Sequence, residues 1–128
     1  MLLDMQNLFS NAQRVVATSY SQNVIYFGKG DVSYLPLVIQ VVEEFAGLTS
    51  LTVEIETSDT EAFTTSTVLQ SSYLPLAKLT LGKRIPIINL PRGNAGYIRI
   101  KYNVVGTSTA GKITAGVVAS DELSYQDL

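Results

Sequence analysis

The sequence predicts an all-β domain of roughly eight or nine short antiparallel strands, arranged as a sandwich, barrel or jelly roll. Three observations carry this prediction. Apolar and polar residues alternate with period two over much of the chain. Clusters of Gly, Pro, Asn and Asp recur at short spacing between the alternating stretches. Helical spacing is confined to the first residues, so at most one short helix is expected.

The elements follow in order. Met1–Gln13 places Leu2, Met5 and Phe9 at helical spacing with Leu8 beside them, so it reads as a short helix or an extended arm. The plainer alternative is a first element docked on its own core. Together Leu2, Leu3, Met5, Leu8 and Phe9 offer more apolar surface than a free terminus should expose, and the arm is therefore expected to touch a partner. Gln13–Tyr20 alternates weakly, and Val24–Phe27 is a short apolar strand ending at Gly28. Leu37–Val42 is apolar on both faces apart from Gln40, as in a central strand.

Ser50–Thr57 sets Leu51, Val53 and Ile55 against Thr52, Glu54 and Glu56. Thr64–Ser71 is rich in strand formers. Ala77–Leu81 and Ile85–Leu90 flank a turn at Gly82–Lys83. Tyr97–Val105 points Ile98, Ile100, Tyr102 and Val104 inward, with Tyr97, Arg99, Lys101 and Asn103 outward; Lys112–Ser120 repeats the pattern with Ile113, Ala115 and Val117. Turns are expected at residues 28–31, Gly47, 58–60, Gly82, 91–94 and Gly106. The whole chain, 1–128, reads as one domain, with an arm at 1–13 and a short acidic tail at Asp121–Leu128.

Composition narrows the chemistry. The chain has no Cys and no His, which removes thiolate nucleophiles, disulfides, imidazole bases and ordinary zinc sites. Catalysis would have to rest on carboxylates, Lys or Tyr. The net charge of −2 gives no global pull towards nucleic acid or an anionic membrane. The apolar runs fall far short of the roughly 20 residues that span a bilayer. Met1–Phe9 lacks a basic start and contains Asp4, so it makes a poor signal peptide.

Few constellations survive inspection. Glu54 and Glu56 share a strand face, as paired carboxylates of a glycosidase could, but they read as the solvated side of an amphipathic strand. Gly28-Lys29-Gly30 lacks the spacing of a phosphate-binding loop. Asp31, Asp59 and Glu61 show no calcium-loop pattern. Charge placement says more. Residues 43–61 hold six acids and no base, and residues 78–112 hold seven bases and no acid. Either these are solvated faces, or acidic and basic surfaces meet across a protein–protein interface. On the second reading Lys83, Arg84, Arg92, Arg99 and Lys101 face a partner that supplies the balancing acid.

Taken together, several segments resemble the capsid cement or stabilising protein family first known from a Bordetella phage. They are Met1-Leu2-Leu3-Asp4 with Leu8-Phe9-Ser10, the strand Leu51–Asp59, Leu90-Pro91 with Gly93, Tyr97–Tyr102, and Gly111–Val118. The resemblance spans nearly the whole chain and rests on the order and spacing of these segments. It implies a jelly-roll-like antiparallel β-sandwich of roughly eight strands on the outside of an icosahedral capsid. There the protein would bridge neighbouring major capsid proteins as a homodimer, without catalytic residues, cofactors or small-molecule substrates. It implies a virion protein made in the host cytoplasm. The main rival is a carbohydrate-binding jelly-roll module of a phage receptor-binding or baseplate structure, with exposed tyrosines such as Tyr97 stacking on sugars. A glycosidase and a subunit of another particle are the remaining alternatives.

Overall fold

The computed structural model describes residues 3–30, 35–87 and 89–118, with side chains from residue 8 onward. Asp121–Leu128 and Leu2 lie outside the described residues. The chain is all-β, as expected. Strands β1 (Leu3–Arg14), β2 (Ser19–Tyr20), β3 (Ile25–Tyr26), β4 (Leu37–Ser58), β5 (Thr67–Pro75) and β6 (Tyr97–Val118) form one antiparallel sheet, and a 3-10 turn at Leu76–Lys78 follows β5. No α-helix occurs among the described residues.

The count is six strands rather than roughly eight, because two pairs of expected strands are continuous. Leu37–Val42 and Ser50–Thr57 fuse into β4, and Tyr97–Val105 and Lys112–Ser120 fuse into β6 as far as Val118. Gly47 and Gly106 are therefore bends inside strands, not turns between them. Both hold left-handed φ values, 88° and 91°. A Cβ on Gly47 would stand 2.6 Å from the Thr107 carbonyl oxygen, and one on Gly106 would stand 2.9 Å from the Thr49 backbone nitrogen. Only glycine lets the two long strands approach this closely. The β4–β6 register shifts repeatedly between Val41 and Ser50. As a result, β6 buries even-numbered residues before the bend (Ile98, Ile100, Tyr102) and odd-numbered ones after it (Ile113, Ala115, Val117).

The bend gives the sheet two halves. In one, residues 112–118 of β6 lie between β1 and the start of β4. The segment 82–90 runs along the outer edge of that half. Val41 donates its N–H to the Lys83 carbonyl, Ile85 to the Ile39 carbonyl and Leu90 to the Leu35 carbonyl. In the other half, residues 97–105 of β6 lie between β2/β3 and the end of β4, and β5 lies beyond β4. Buried residues from both halves fall in a single cluster. Ser10, paired with Ala115 in the first half, hydrogen-bonds the Tyr102 hydroxyl of the second half at 2.8 Å. One sheet doubled back on itself thus makes a two-layered core. Each layer is four segments wide, counting the 82–90 segment in one and β2 with β3 as one row in the other.

All eight residues expected in the core are buried: Leu51, Val53, Ile55, Ile98, Ile100, Tyr102 and Ile113 at 0% exposure and Val117 at 5%. The helical alternative for the N-terminus is corrected, since Leu3–Arg14 is a strand on the edge of β6. Three register irregularities and a positive φ at Ala12 break its period of two, which hid it in the sequence. The described residues of Ile85–Leu90 cover β4 without forming a strand; isolated bridges Gln40–Arg84 and Pro36–Asn89 join residues 84 and 89 to β4 and to the residue before it.

Candidate protein-contact surface

The outer face of the second half-sheet follows from pleat and register. Side chains opposite to Leu51, Val53 and Ile55 point away from the core. Across this face Thr52 lies between Tyr73 and Asn103, Glu54 between Ser71 and Lys101, and Glu56 between Val68 and Arg99. At the far edge Tyr20 stands opposite Lys101 and Tyr26 opposite Tyr97. Tyr26 and Tyr73 are 64% and 65% exposed, and Tyr20 is 46% exposed. The Tyr26 and Tyr97 rings pack at a centroid distance of 4.8 Å. Strand pairing therefore gathers four tyrosines from four different strands onto one surface. Only Tyr97 stood out in the sequence, because the other three lie in short or weakly alternating strands.

Arg99 is the fixed point of this face. Its Nε donates to Glu56 Oε1 at 2.9 Å, and the two side chains are only 16% and 7% exposed. Its guanidinium carbon lies 3.7 Å from the Tyr20 ring centroid and 4.1 Å from that of Phe63. Phe63 comes from the loop between β4 and β5, where it holds a φ of 52°. The cation is thus clamped between two rings and a carboxylate. This corrects the reading of Glu56 and Arg99 as solvated, outward charges. A pleat argument cannot see a loop and a neighbouring strand folding over the outer face. Lys101 remains half-exposed opposite Glu54, its Nζ 5.9 Å from the Tyr20 ring.

The acidic and basic runs also find a simpler explanation. β4 carries Glu43, Glu54 and Glu56, and β6 carries Lys112, Lys101 and Arg99 opposite them in register. Glu43 and Lys112 form an exposed pair at 3.8 Å. Three acids of one run thus face three bases of the other across strands of one chain, and Arg99 has its balancing acid in Glu56. Arg84 and Lys83 lie along the edge of the other half-sheet, and Arg92 is exposed in the loop before β6. These three do not continue the Arg99–Lys101 row.

The arm is corrected in part. Leu8 and Phe9 are 9% and 0% exposed, and Phe9 packs on Phe27 at a centroid distance of 6.3 Å. The Phe9 carbonyl accepts the Asn23 N–H. These two residues belong to the chain's own core rather than to a partner contact. Leu3 and Met5 lie in β1, with side chains outside the described residues.

A cavity of about 390 Å³ opens at the end of the second half-sheet, lined by Lys29, Thr57, Ser58, Asp59, Thr67 and Leu69 among others. Asp59 is its one carboxylate among the described residues. Among the described residues no cluster of three acids could hold a metal ion. The Gly28–Gly30 loop is a structural turn. Asn94 Nδ2 donates to the Gly28 and Gly30 carbonyls at 2.8 and 3.3 Å, and Gly30 N–H donates to the Asn94 carbonyl. Buried Tyr102 has its phenol pushed well above the ordinary range by desolvation, against a smaller lowering from its bond to Ser10. That bond joins the two layers.

Compared with models of known protein families, residues 9–117 match the family described as Bbp16, whose namesake is a Bordetella phage protein. No curated protein matches.

Proposed function

The chain belongs to the Bbp16 family, a phage-related family, and on that premise we propose that it is a non-enzymatic structural protein of a bacteriophage virion. It binds the outside of the capsid shell and stabilises it by bridging major capsid protein subunits. A homodimer is the form in which it does so. The observation that carries the reading is the outer face of the second half-sheet. Tyr20, Tyr26, Tyr73 and Tyr97 share this face with an arginine already clamped in place. Tyr and Arg are the residues that enrich interface centres, and a pre-ordered surface loses little entropy on docking. Contact with more than one shell subunit then multiplies modest affinities, because later contacts are intramolecular.

The carbohydrate-binding reading is favoured by one feature, the exposed Tyr26–Tyr97 ring pair. One experiment separates the two. Wild-type protein is pelleted with shells that lack it, beside a variant carrying Tyr26→Ser and Tyr73→Ser, positions whose exposure spares the core. The proposal expects the wild type to co-sediment and the variant to remain in solution. Wild-type protein that ignores shells yet binds glycans would overturn it.

A further inference from the structure

Most long edges of this folded sheet are covered. The 82–90 segment runs along β4, β2 and β3 run along β6, and residues 22–23 lie beside β1, where Gln22 accepts the Asn11 N–H and Asn23 donates to the Phe9 carbonyl. β5 is different. It pairs with β4 on one side, and among the described residues no strand or backbone bond occupies its other side. The strand reads Thr-Val-Leu-Gln-Ser-Ser-Tyr-Leu-Pro, without a charge. Its pairing is irregular at Leu69, where the register with β4 shifts, and it ends at Pro75. Between these two points Gln70–Leu74 stays regular and open.

Sheets expose such edges at a risk, because each outward N–H and C=O is a template for another strand. Soluble proteins blunt them with charges, prolines, bulges or short length; β5 has a bulge at Leu69 and a proline at Pro75, and the residues between them, 70–74, carry no charge. We propose that the free edge of β5 is a binding site for an extended, uncharged polypeptide segment, which adds to the sheet as a further strand. The backbone itself specifies the ligand. Alternate residues of β5 turn their N–H and C=O groups outward, so the partner must be extended and must present its own main chain. Two features select side chains. Tyr73, 65% exposed, flanks the edge on the outer face, and Ser72, half-buried, leaves room on the inner one. An uncharged partner avoids stranding a charge beside this neutral strand. Resting on the proposed function, the segment belongs to the major capsid protein, and it would lie next to the tyrosine face and extend that contact.

Hydrogen–deuterium exchange on the full-length protein, alone and bound to shells that lack it, reads the edge directly. The expected result is slower amide exchange within residues 70–74 on shell binding, by roughly tenfold or more, the mark of newly bonded amides. A companion variant, Gln70→Lys with Ser72→Lys, places charges at the edge and should weaken shell binding by at least roughly tenfold, about one lost interfacial bond. Exchange of the free variant confirms that it is folded. If wild-type protein binds shells while these amides exchange as before, strand addition is wrong and the shell-binding reading stands. If it does not bind shells, both fall. Protection that grows with protein concentration in the absence of shells would assign the edge to a second copy and overturn the proposal.

Discussion

Replacing Arg99 with Ala should destabilise the protein by about 4–5 kcal/mol. Removing one partner of a largely buried ion pair costs about 3–5 kcal/mol, because the other charge is left uncompensated. The Glu56 side chain is only 7% exposed and would be that orphan. Arg99 itself retains 16% exposure, which lets water partly replace it and favours the lower end of the range. Its stacking on Tyr20 and Phe63 adds about 0.5–1 kcal/mol for each ring. Glu56→Gln keeps an acceptor for the Arg99 Nε but removes its counter-charge, and should cost less, about 1–3 kcal/mol. Lys101→Ala, on the same strand face but half-exposed, should cost less than about 1 kcal/mol. Urea unfolding with an unchanged m-value measures all three. A loss below about 0.5 kcal/mol for Arg99→Ala would mean that the charge is a solvated one and that the clamp is not formed.

Other perturbations test other parts of the fold. Phe9→Ala should cost about 3–5 kcal/mol in the same assay, since the ring is fully buried; a neutral result would return the arm to a partner-contact role. Gly47→Ala should destabilise by more than about 1–2 kcal/mol, because the residue holds a φ of 88° and its new Cβ would press on Thr107. A folded variant of unchanged stability would place the bend elsewhere. Tyr102 has its phenol raised in the folded state, so its contribution is complete below the unfolded value near 10 and is lost as pH rises beyond it. Wild-type stability should therefore fall above about pH 10 at up to roughly 1.4 kcal/mol per pH unit, and Tyr102→Phe should flatten that fall.

Much of the core was legible because period two is a strong signal wherever one face is dry. Leu51–Ile55 and Ile98–Tyr102 alternate without interruption, and each expected inward residue is buried. The bend was not legible. Glycine marks both turns and strand distortions, and nothing local separates Gly47 and Gly106 from the turn at Gly82. Register told them apart, and register is a property of two strands. The same holds for the charges. Glu56 and Arg99 lie 43 residues apart, and their pairing appears only once β4 and β6 are aligned. Phe63 was silent because it sits outside any alternating stretch, and its role comes from the loop that folds it onto Arg99. The tyrosine face was scattered over β2, β3, β5 and β6, so no window of sequence contained it.

Binding to a shell is not yet stabilisation of it, and shell rupture separates the two. Shells that lack the protein are heated with and without added wild-type protein, and release of their contents is followed by light scattering or dye access. The account predicts that saturating protein raises the rupture temperature, and that the Tyr26→Ser, Tyr73→Ser variant leaves it unchanged. Shells that carry the wild-type protein in full and rupture at the same temperature as bare ones would contradict it.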